Sequence, residues 1–494
     1  MGTLVAIVVG GLVAWASARL AIQRQEARLS SWRRAVADAG LEAVEERERF
    51  FGHEIAARAG TLAVQLERFK RGRGRSGTRV TISGLGHGPF GLSFRREGLG
   101  TRLDRVLSGE GDVETGDVAF DREVFVSGEP TLAHAVLDAE ARRAVRWLLA
   151  GRVALPDGSS VDADVHVASD RITVEIAESV FDDPRHPVVS GGLLRSLLEA
   201  ARRLSAPKDR AAAIASIAAS DRSPGVRLAC VRRLVDGFPR NPATRPLLLA
   251  ACHDDSLPVR LEAALALGEE GVATLIDVAR AESAEDALRA RAIGGLGEAL
   301  PLDLAEATIR EAASDGAGDR RASAIASIRA ISQRGPSAVA ALTRGLASPD
   351  VSIATAAVRA LGLAGPVAEA PLVAVLSREE PAMRVAAADS LGRVGSVDAV
   401  AALHESLRRS DAGGMRRAVR QAVAAIQARL SGAEPGQLTL AAGGHGQLSL
   451  ADDVVPDGAG DVSLFDADLV PADRAEPEAE PTRPQRPGTI HGKT

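Results

Sequence analysis

The chain contains no tyrosine, and aromatic residues make up 3% of its 494 positions. Stacking platforms for bases or sugars, which need exposed rings, are therefore scarce. Cysteine is almost missing as well, with Cys230 and Cys252 the only two. Two cysteines cannot build a disulfide framework for a chain of this length, and no C-x-x-C or Cys/His spacing points to a metal. Both stand in apolar, helix-patterned surroundings and read as small core residues. Lysine is limited to Lys70, Lys208 and Lys493, so positive charge here means arginine, a trend attributable to genome composition. The net charge of −5 argues against chain-wide nucleic-acid binding, which needs a basic domain or stripe, so nucleic acid is not an expected partner. Enzyme signatures are lacking too: G-x-x-x-x-G-K-[ST], G-x-S-x-G, H-E-x-x-H and the EF-hand loop do not occur. The nine histidines are scattered singly. These absences point away from an enzyme, a cofactor, a bound metal or a small-molecule substrate.

What is present divides into segments, as a chain beyond the size of one hydrophobic core should. Thr3–Ala18 carries no charge, and Leu20–Ile22 extends the apolar run past Arg19. A bilayer span needs about 20 mostly apolar residues, so residues 1–22 are expected to form a transmembrane anchor with Trp15 near an interface. Arg19, Arg24, Arg28, Arg33 and Arg34 follow the span and no basic residue precedes it. The positive-inside rule then places a single-pass protein in the inner membrane with its bulk in the cytoplasm. The alternative is export, because Ala16-Ser17-Ala18 resembles a signal-peptidase site, although the charged segment that normally precedes the apolar stretch is missing. Residues 23–50 are expected as a juxtamembrane helix, most clearly over Ala21–Asp38.

Residues 51–204 change to short alternating runs. Ile55–Ala57, Leu62–Leu66, Arg79–Ile82, Gly91–Phe94, Glu123–Val126, Val161–Val167 and Arg171–Ile176 read as strands. Leu132–Asp138, Ala141–Leu149 and Leu193–Leu204 read as helices, giving a small antiparallel α+β domain. Lys70, Arg71, Arg73 and Arg75 form a basic, glycine-rich loop, read as a solvated hairpin tip with contact to anionic lipid or nucleic acid as its functional alternative. Gly84-Leu-Gly-His-Gly88 superficially matches a phosphate-binding loop, but a strand pattern follows it where a helix N-terminus would be needed. In Gly116-Asp117-Val-Ala-Phe120-Asp121 the carboxylates suit turn capping better than acid/base work, since no histidine cluster or nucleophile completes a site. If the domain did hold a catalytic or ligand site, Asp117, Asp121 or His87 would converge in a deep pocket. The stretch from Trp32 to this Gly-Asp-x-x-Phe-Asp motif resembles a group of uncharacterised bacterial membrane-anchored proteins, which implies no activity.

From residue 206 to 430 a unit of about 31–33 residues recurs. Its clearest copies are Pro258–Gly268, Pro349–Gly362 and Pro381–Gly392, with Ala287–Gly297 a fourth. Each is followed by a second helical run, such as Val272–Arg280, Ala368–Leu376 or Val397–Leu407. Alanines let paired helices approach, glycine after the first helix supplies a left-handed cap, and proline or aspartate starts the next. No pair buries its own apolar face, so neighbours must stack into an α-solenoid. The unit Val-Arg-x-x-Ala-Ala-x-x-Leu-Gly resembles HEAT repeats, especially the short bacterial variant shared with phycobilisome-lyase-like proteins. The resemblance implies a macromolecule-binding surface, while lyase activity does not carry over because the matching positions are structural. The recurring arginines, among them Arg260, Arg289, Arg320 and Arg384, are candidates for contacting an acidic partner on one face, or for pairing between repeats.

Residues 431–494 are rich in Pro, Gly, Asp and Glu and are expected to be disordered and acidic. Three apolar islands begin at Gln437, Gln447 and Asp461. They are similar to the Gln-Leu-x-Leu-Phe peptides that dock on the bacterial DNA sliding clamp. The first two lack the terminal aromatic and the third lacks the glutamine, so low complexity remains the favoured reading. Taken together, the sequence describes a non-catalytic, membrane-tethered scaffold that binds an unnamed cytoplasmic protein through its solenoid.

Overall fold

The computed structural model describes residues 2–49, 52–71, 75–88, 91–96, 112–154, 160–177, 187–314, 320–408 and 413–429. The acidic tail with its three apolar islands, and the tip of the basic loop at 72–74, lie outside them.

Helix α1 (Gly2–Asp38) is continuous. Among the described residues no helix is long and apolar enough to cross a membrane, so the span expected over Thr3–Ile22 gains no support here. The side chains of residues 2–13 lie outside the described ones; beyond them Trp15, Leu20 and Ile22 are exposed. The other end of α1 belongs to the domain core, with Trp32, Ala35 and Val36 buried. The helix expected to run to residue 50 stops at Asp38. Gly40, at φ +70°, turns the chain, and the Leu41 N–H closes back on the Val36 carbonyl at 3.0 Å. A strand follows instead, β1 (Glu42–Arg49), whose sequence EAVEERER has no apolar alternation to announce it.

The strands β2 (Gly52–Ala59), β3 (Leu62–Arg71), β4 (Arg75–Ser83), β5 (Ser93–Arg96), β6 (Val124–Ser127), β7 (Arg152–Ala154), β8 (Ser160–Ala168) and β9 (Arg171–Ala177) complete an antiparallel sheet. Its order is β1-β2-β3-β4-β9-β8-β5-β6, with β7 paired to β8. Alternate side chains decide the two faces. Ile55, Leu62, Val64, Leu66, Val80, Ile82, Ile172, Val174 and Ile176 are buried together with α1 and the helices that follow. The opposite face is polar: Gln65 donates to Glu54 at 2.6 Å, and Arg79 spans Glu67 at 2.7 Å and Glu175 at 2.8 Å. Charged β1 lies at one edge, where its side chains discourage pairing with another chain.

Two short helices, α2 (Val118–Glu123) and α3 (Pro130–Val136), flank β6. Helix α4 (Ala139–Leu149) starts at Asp138, whose carboxylate accepts from the Ala141 N–H at 2.7 Å. Helix α5 (Pro187–Arg203) buries Leu193, Leu194, Leu197 and Leu198 against α1 and the sheet.

The repeats begin with α6 (Arg210–Ser220). Pairs follow as α7 (Pro224–Gly237) with α8 (Thr244–Ala251), α9 (Leu257–Leu267) with α10 (Val272–Arg280), and α11 (Asp286–Leu296) with α12 (Leu302–Ala313). Next come α13 (Arg321–Ile331) with α14 (Val339–Gly345), α15 (Val351–Leu361) with α16 (Glu369–Val375), α17 (Pro381–Val394) with α18 (Val397–Arg408), and α19 (Gly413–Arg429). First helices stack on first helices down the array, around one continuous Ala/Leu/Ile/Val core. The repeat glycines do different jobs. Gly268 and Gly297 take positive φ after their helices, as expected. Gly362 and Gly392 do not, and their role is close packing: a Cβ on Gly362 would press on Ser390, and one on Gly392 would sit 3.0 Å from the Ala422 Cα.

Candidate functional site at the seam of sheet and repeats

The Gly-Asp-x-x-Phe-Asp motif folds as a turn into α2. Gly116 adopts φ +88°. Asp117 caps the helix, its Oδ1 accepting from the Phe120 N–H at 3.1 Å, while Phe120 is fully buried. Asp121 turns back to accept from the Thr115 N–H at 3.0 Å, the Thr115 hydroxyl at 2.7 Å and the Gly116 N–H at 3.0 Å. The two carboxylates thus hold the loop and do not face each other across a reaction space.

This turn is the docking point for the repeats. Gly116 and Gly225 approach backbone to backbone, so that a Cβ on either would run into the carbonyl of the other. Between them lies a buried ionic lock. Arg142, from α4, donates through Nε to Asp117 at 2.9 Å and through Nη1 to the Leu137 carbonyl at 2.8 Å. The same guanidinium grips Asp221, at the end of α6, through Nη1 at 3.0 Å and Nη2 at 3.1 Å. Side-chain exposure is only 5% for Arg142 and 2% for Asp221, so the charges stand in a low-dielectric setting where pairing is obligatory. Burial alone would raise the Asp117 carboxyl, but the Phe120 amide and the Arg142 guanidinium together bring it below its ordinary range. Arg210 adds an outer tie to Glu129 at 2.7 Å.

The glycine loop supplies a second tie. Gly84, Gly86 and Gly88 all have positive φ, and the turned backbone N–H groups point inward as an anion-binding nest. Its occupant is the chain's own Asp170, which accepts from Gly84 at 3.1 Å, Gly86 at 2.6 Å and His87 at 3.2 Å. The loop therefore binds an anion, as its glycines suggested, but an internal one. His87 is buried, with its ring nitrogens facing the carbonyls of Ser169 at 2.8 Å and Leu204 at 2.6 Å. Neither nitrogen is left to act as a base. The deep pocket that Asp117, Asp121 and His87 would share in an enzyme does not form from these residues. Asp117 instead borders an open cleft of about 530 Å³ lined by Arg142, Arg143, Arg146 and Arg222. Among the described residues no three His, Cys, Asp or Glu side chains converge as a metal site.

The arginines singled out along the repeats stand at the starts of first helices. Arg227 shows the geometry best: Nε and Nη2 both lie 2.7 Å from Asp254, before the next repeat. Arg289 is buried, bonded to Glu311 at 3.0 Å and the Ala281 carbonyl at 3.0 Å. Arg260, Arg320 and Arg384 are half-buried, each with one guanidinium nitrogen enclosed and without a hydrogen-bond acceptor.

Comparison with known proteins supports the repeat assignment. The HEAT-repeat family profile matches residues 345–424. Residues 345–424 are HEAT repeats. Among solved structures it is similar to the complex of CpcE and CpcF of phycocyanin lyase from Nostoc sp., at 20% identity and a TM-score of 0.26, over 44% of this chain and 96% of that one. It is also similar to human deoxyhypusine hydroxylase in complex with glycerol, at 18% identity and a TM-score of 0.20, with the same coverage. No curated protein matches the chain.

Within the HEAT array a further row of arginines escaped the sequence reading. Arg334 donates to the carbonyls of Glu298 and Leu300, Arg393 to that of Gly362 at 3.4 Å, and Arg429 to those of Gly392 and Arg393 at 2.7 Å. Each neutralises the carbonyl end of the preceding first helix, where the macrodipole favours a cation. They stand 59 and then 36 residues apart, off the repeat period, so no regular spacing announces them. On the solvent side, Glu262 bridges Arg232 at 3.3 Å and Arg291 at 3.0 Å, linking three consecutive first helices. Lys70, Arg71 and Arg75 end β3 and begin β4, a hairpin as expected, but their side chains and all of Arg73 lie outside the described residues. Cys230 and Cys252 are buried, and burial pushes the Cys230 thiol up to about 12.

Proposed function

We propose that this HEAT-repeat protein is a non-catalytic scaffold that holds a cytoplasmic protein partner on its solenoid, tethered to the inner membrane by the apolar start of α1. One observation carries the reading. The polar groups that could do chemistry are engaged structurally: Asp117 and Asp121 hold their own turn, His87 bonds within the α+β domain, and Arg142 ties that domain to Asp221 of the repeats. What remains outward is a long array of stacked first helices bearing exposed charge, including Arg291, Arg329 and Arg359. Such a surface suits macromolecular binding more than a reaction. The tether is supported by the uncharged run Thr3–Ala18 lying in a helix that continues unbroken into the domain core.

The test is affinity purification of the detergent-solubilised chain beside a form ending after α12, which keeps Asp221 and the seam intact. Repeats contact only their neighbours, so the shortened array should stay folded. Loss of the co-purifying proteins is the expected result. The same proteins at the same stoichiometry would remove the repeats from partner binding.

A further inference from the structure

The outer face of α4 joins three adjacent clefts. The first, of about 530 Å³, opens beside Asp117 and Arg222; the second, of about 520 Å³, lies between α4 and α5 at Trp147 and Arg195. The third, of about 280 Å³, lies by Arg96 and Arg122. Arg143 is common to the first two and Arg146 to the first and third, so the clefts form one continuous surface. Its charge is lopsided. Arg143, Arg146 and Arg203 are paired with Glu140, Glu123 and Glu199. Arg96, Arg122, Arg195 and Arg222 are exposed, and among the described residues no carboxylate pairs with them. Four uncompensated guanidiniums gathered in one domain surface of an acidic chain are costly to keep unless an anion covers them. Trp147, half-buried, adds an apolar wall in their midst.

We infer that this surface binds an acidic polypeptide segment in which carboxylates alternate with apolar side chains. Guanidiniums match carboxylates bidentately, and the indole wall accommodates the apolar side chain between them. Glu123, Glu140 and Glu199, interleaved with the arginines, repel a uniformly charged phosphate backbone. A single indole also cannot supply the row of rings on which bases stack. The surface spans the length of α4, about 16 Å at 1.5 Å per residue, which corresponds to about five extended residues. This surface lies mainly on the α+β domain, with Ser220 and Arg222 added from the start of the repeats, and does not depend on partner binding by the rest of the solenoid.

Trp147 provides the readout. A synthetic peptide of alternating glutamate and leucine is titrated into the full chain in neutral detergent, with emission followed and assigned by a Trp147→Phe variant. The expected result is a saturable change with a Kd on the order of 10 µM at low salt. The double variant Arg195→Glu, Arg222→Glu weakens binding about tenfold, with an unchanged melting curve because neither arginine has a carboxylate partner among the described residues. Binding left unchanged in that variant overturns the inference, as does no saturation by millimolar peptide. Tighter binding of a single-stranded oligonucleotide or of anionic lipid micelles of equal charge overturns it as well, by making the surface a phosphate site.

Discussion

Replacing Arg142 by methionine removes a guanidinium that makes four hydrogen bonds at the seam, two of them across it to Asp221. Asp221, with 2% of its side chain exposed, then stands buried without its paired guanidinium. Breaking a buried pair by deleting one partner costs about 3–5 kcal/mol, because the remaining charge must be stripped of solvent alone. The same guanidinium helps hold the Asp117 carboxyl below its ordinary range, which gives the prediction a pH signature. In the intact protein the Asp117 carboxyl is depressed, so its contribution is present above the unfolded value near 4 and is lost as the pH falls through the folded one. The gap between intact protein and variant should therefore hold from pH 7 to about 4 and narrow as the pH falls below about 4. Urea unfolding followed by the emission of Trp32 and Trp147, which belong to the domain beside the seam, measures both the cost and its pH dependence. A double-mutant cycle with Asp221→Leu should return a coupling of about 2–3 kcal/mol. A single-variant cost below about 1 kcal/mol, or simple additivity with Asp221→Leu, would refute the lock.

Gly116→Ala should destabilise the seam by more than about 1 kcal/mol, since its φ of +88° and the Gly225 carbonyl both exclude a Cβ; Gly40→Ala, with open space around it, should cost only the φ penalty of about 1 kcal/mol. Denaturation midpoints of the two variants compare them directly. Asp170→Ala leaves the amides of Gly84, Gly86 and His87 without their acceptor and should cost about 2–3 kcal/mol, with Asp170→Asn recovering part of it, as read by hydrogen exchange at those amides. Cys230 should resist iodoacetamide at pH 8 in the folded protein and react on unfolding, followed by mass spectrometry. Its folded pKa lies above the ordinary thiol range, so the stability it contributes is present below about pH 9 and lost as the pH rises towards about 12, visible as a falling urea midpoint over that window.

The repeats were legible because their constraints are local and recurrent: proline or aspartate at a start, alanine at a contact, glycine at an end. Even there, one residue type served two ends. Gly268 and Gly362 look alike in sequence, yet one relieves backbone strain and the other admits a neighbouring helix, a difference only packing decides. The strands with apolar alternation were legible for the same reason, whereas β1 was not, because an edge strand built of EAVEERER is patterned to avoid pairing, with no core face to mark it. The Gly-Asp-x-x-Phe-Asp turn showed its capping chemistry in advance. Its partner, Asp221, lies 79 residues beyond Arg142, and no local pattern links them. The anion nest at Gly84–Gly88 was half legible: glycines predicted the backbone shape, but the occupant comes from a distant hairpin, Asp170.

Hydrogen–deuterium exchange on the full-length protein with and without its co-purified partner tests the scaffold reading most directly. Added protection on the first helices of the repeats, from α7 through α19, is the predicted result, with the seam around Asp117 and Arg142 unchanged. Protection confined to residues 42–203, or none in the repeats, would contradict it.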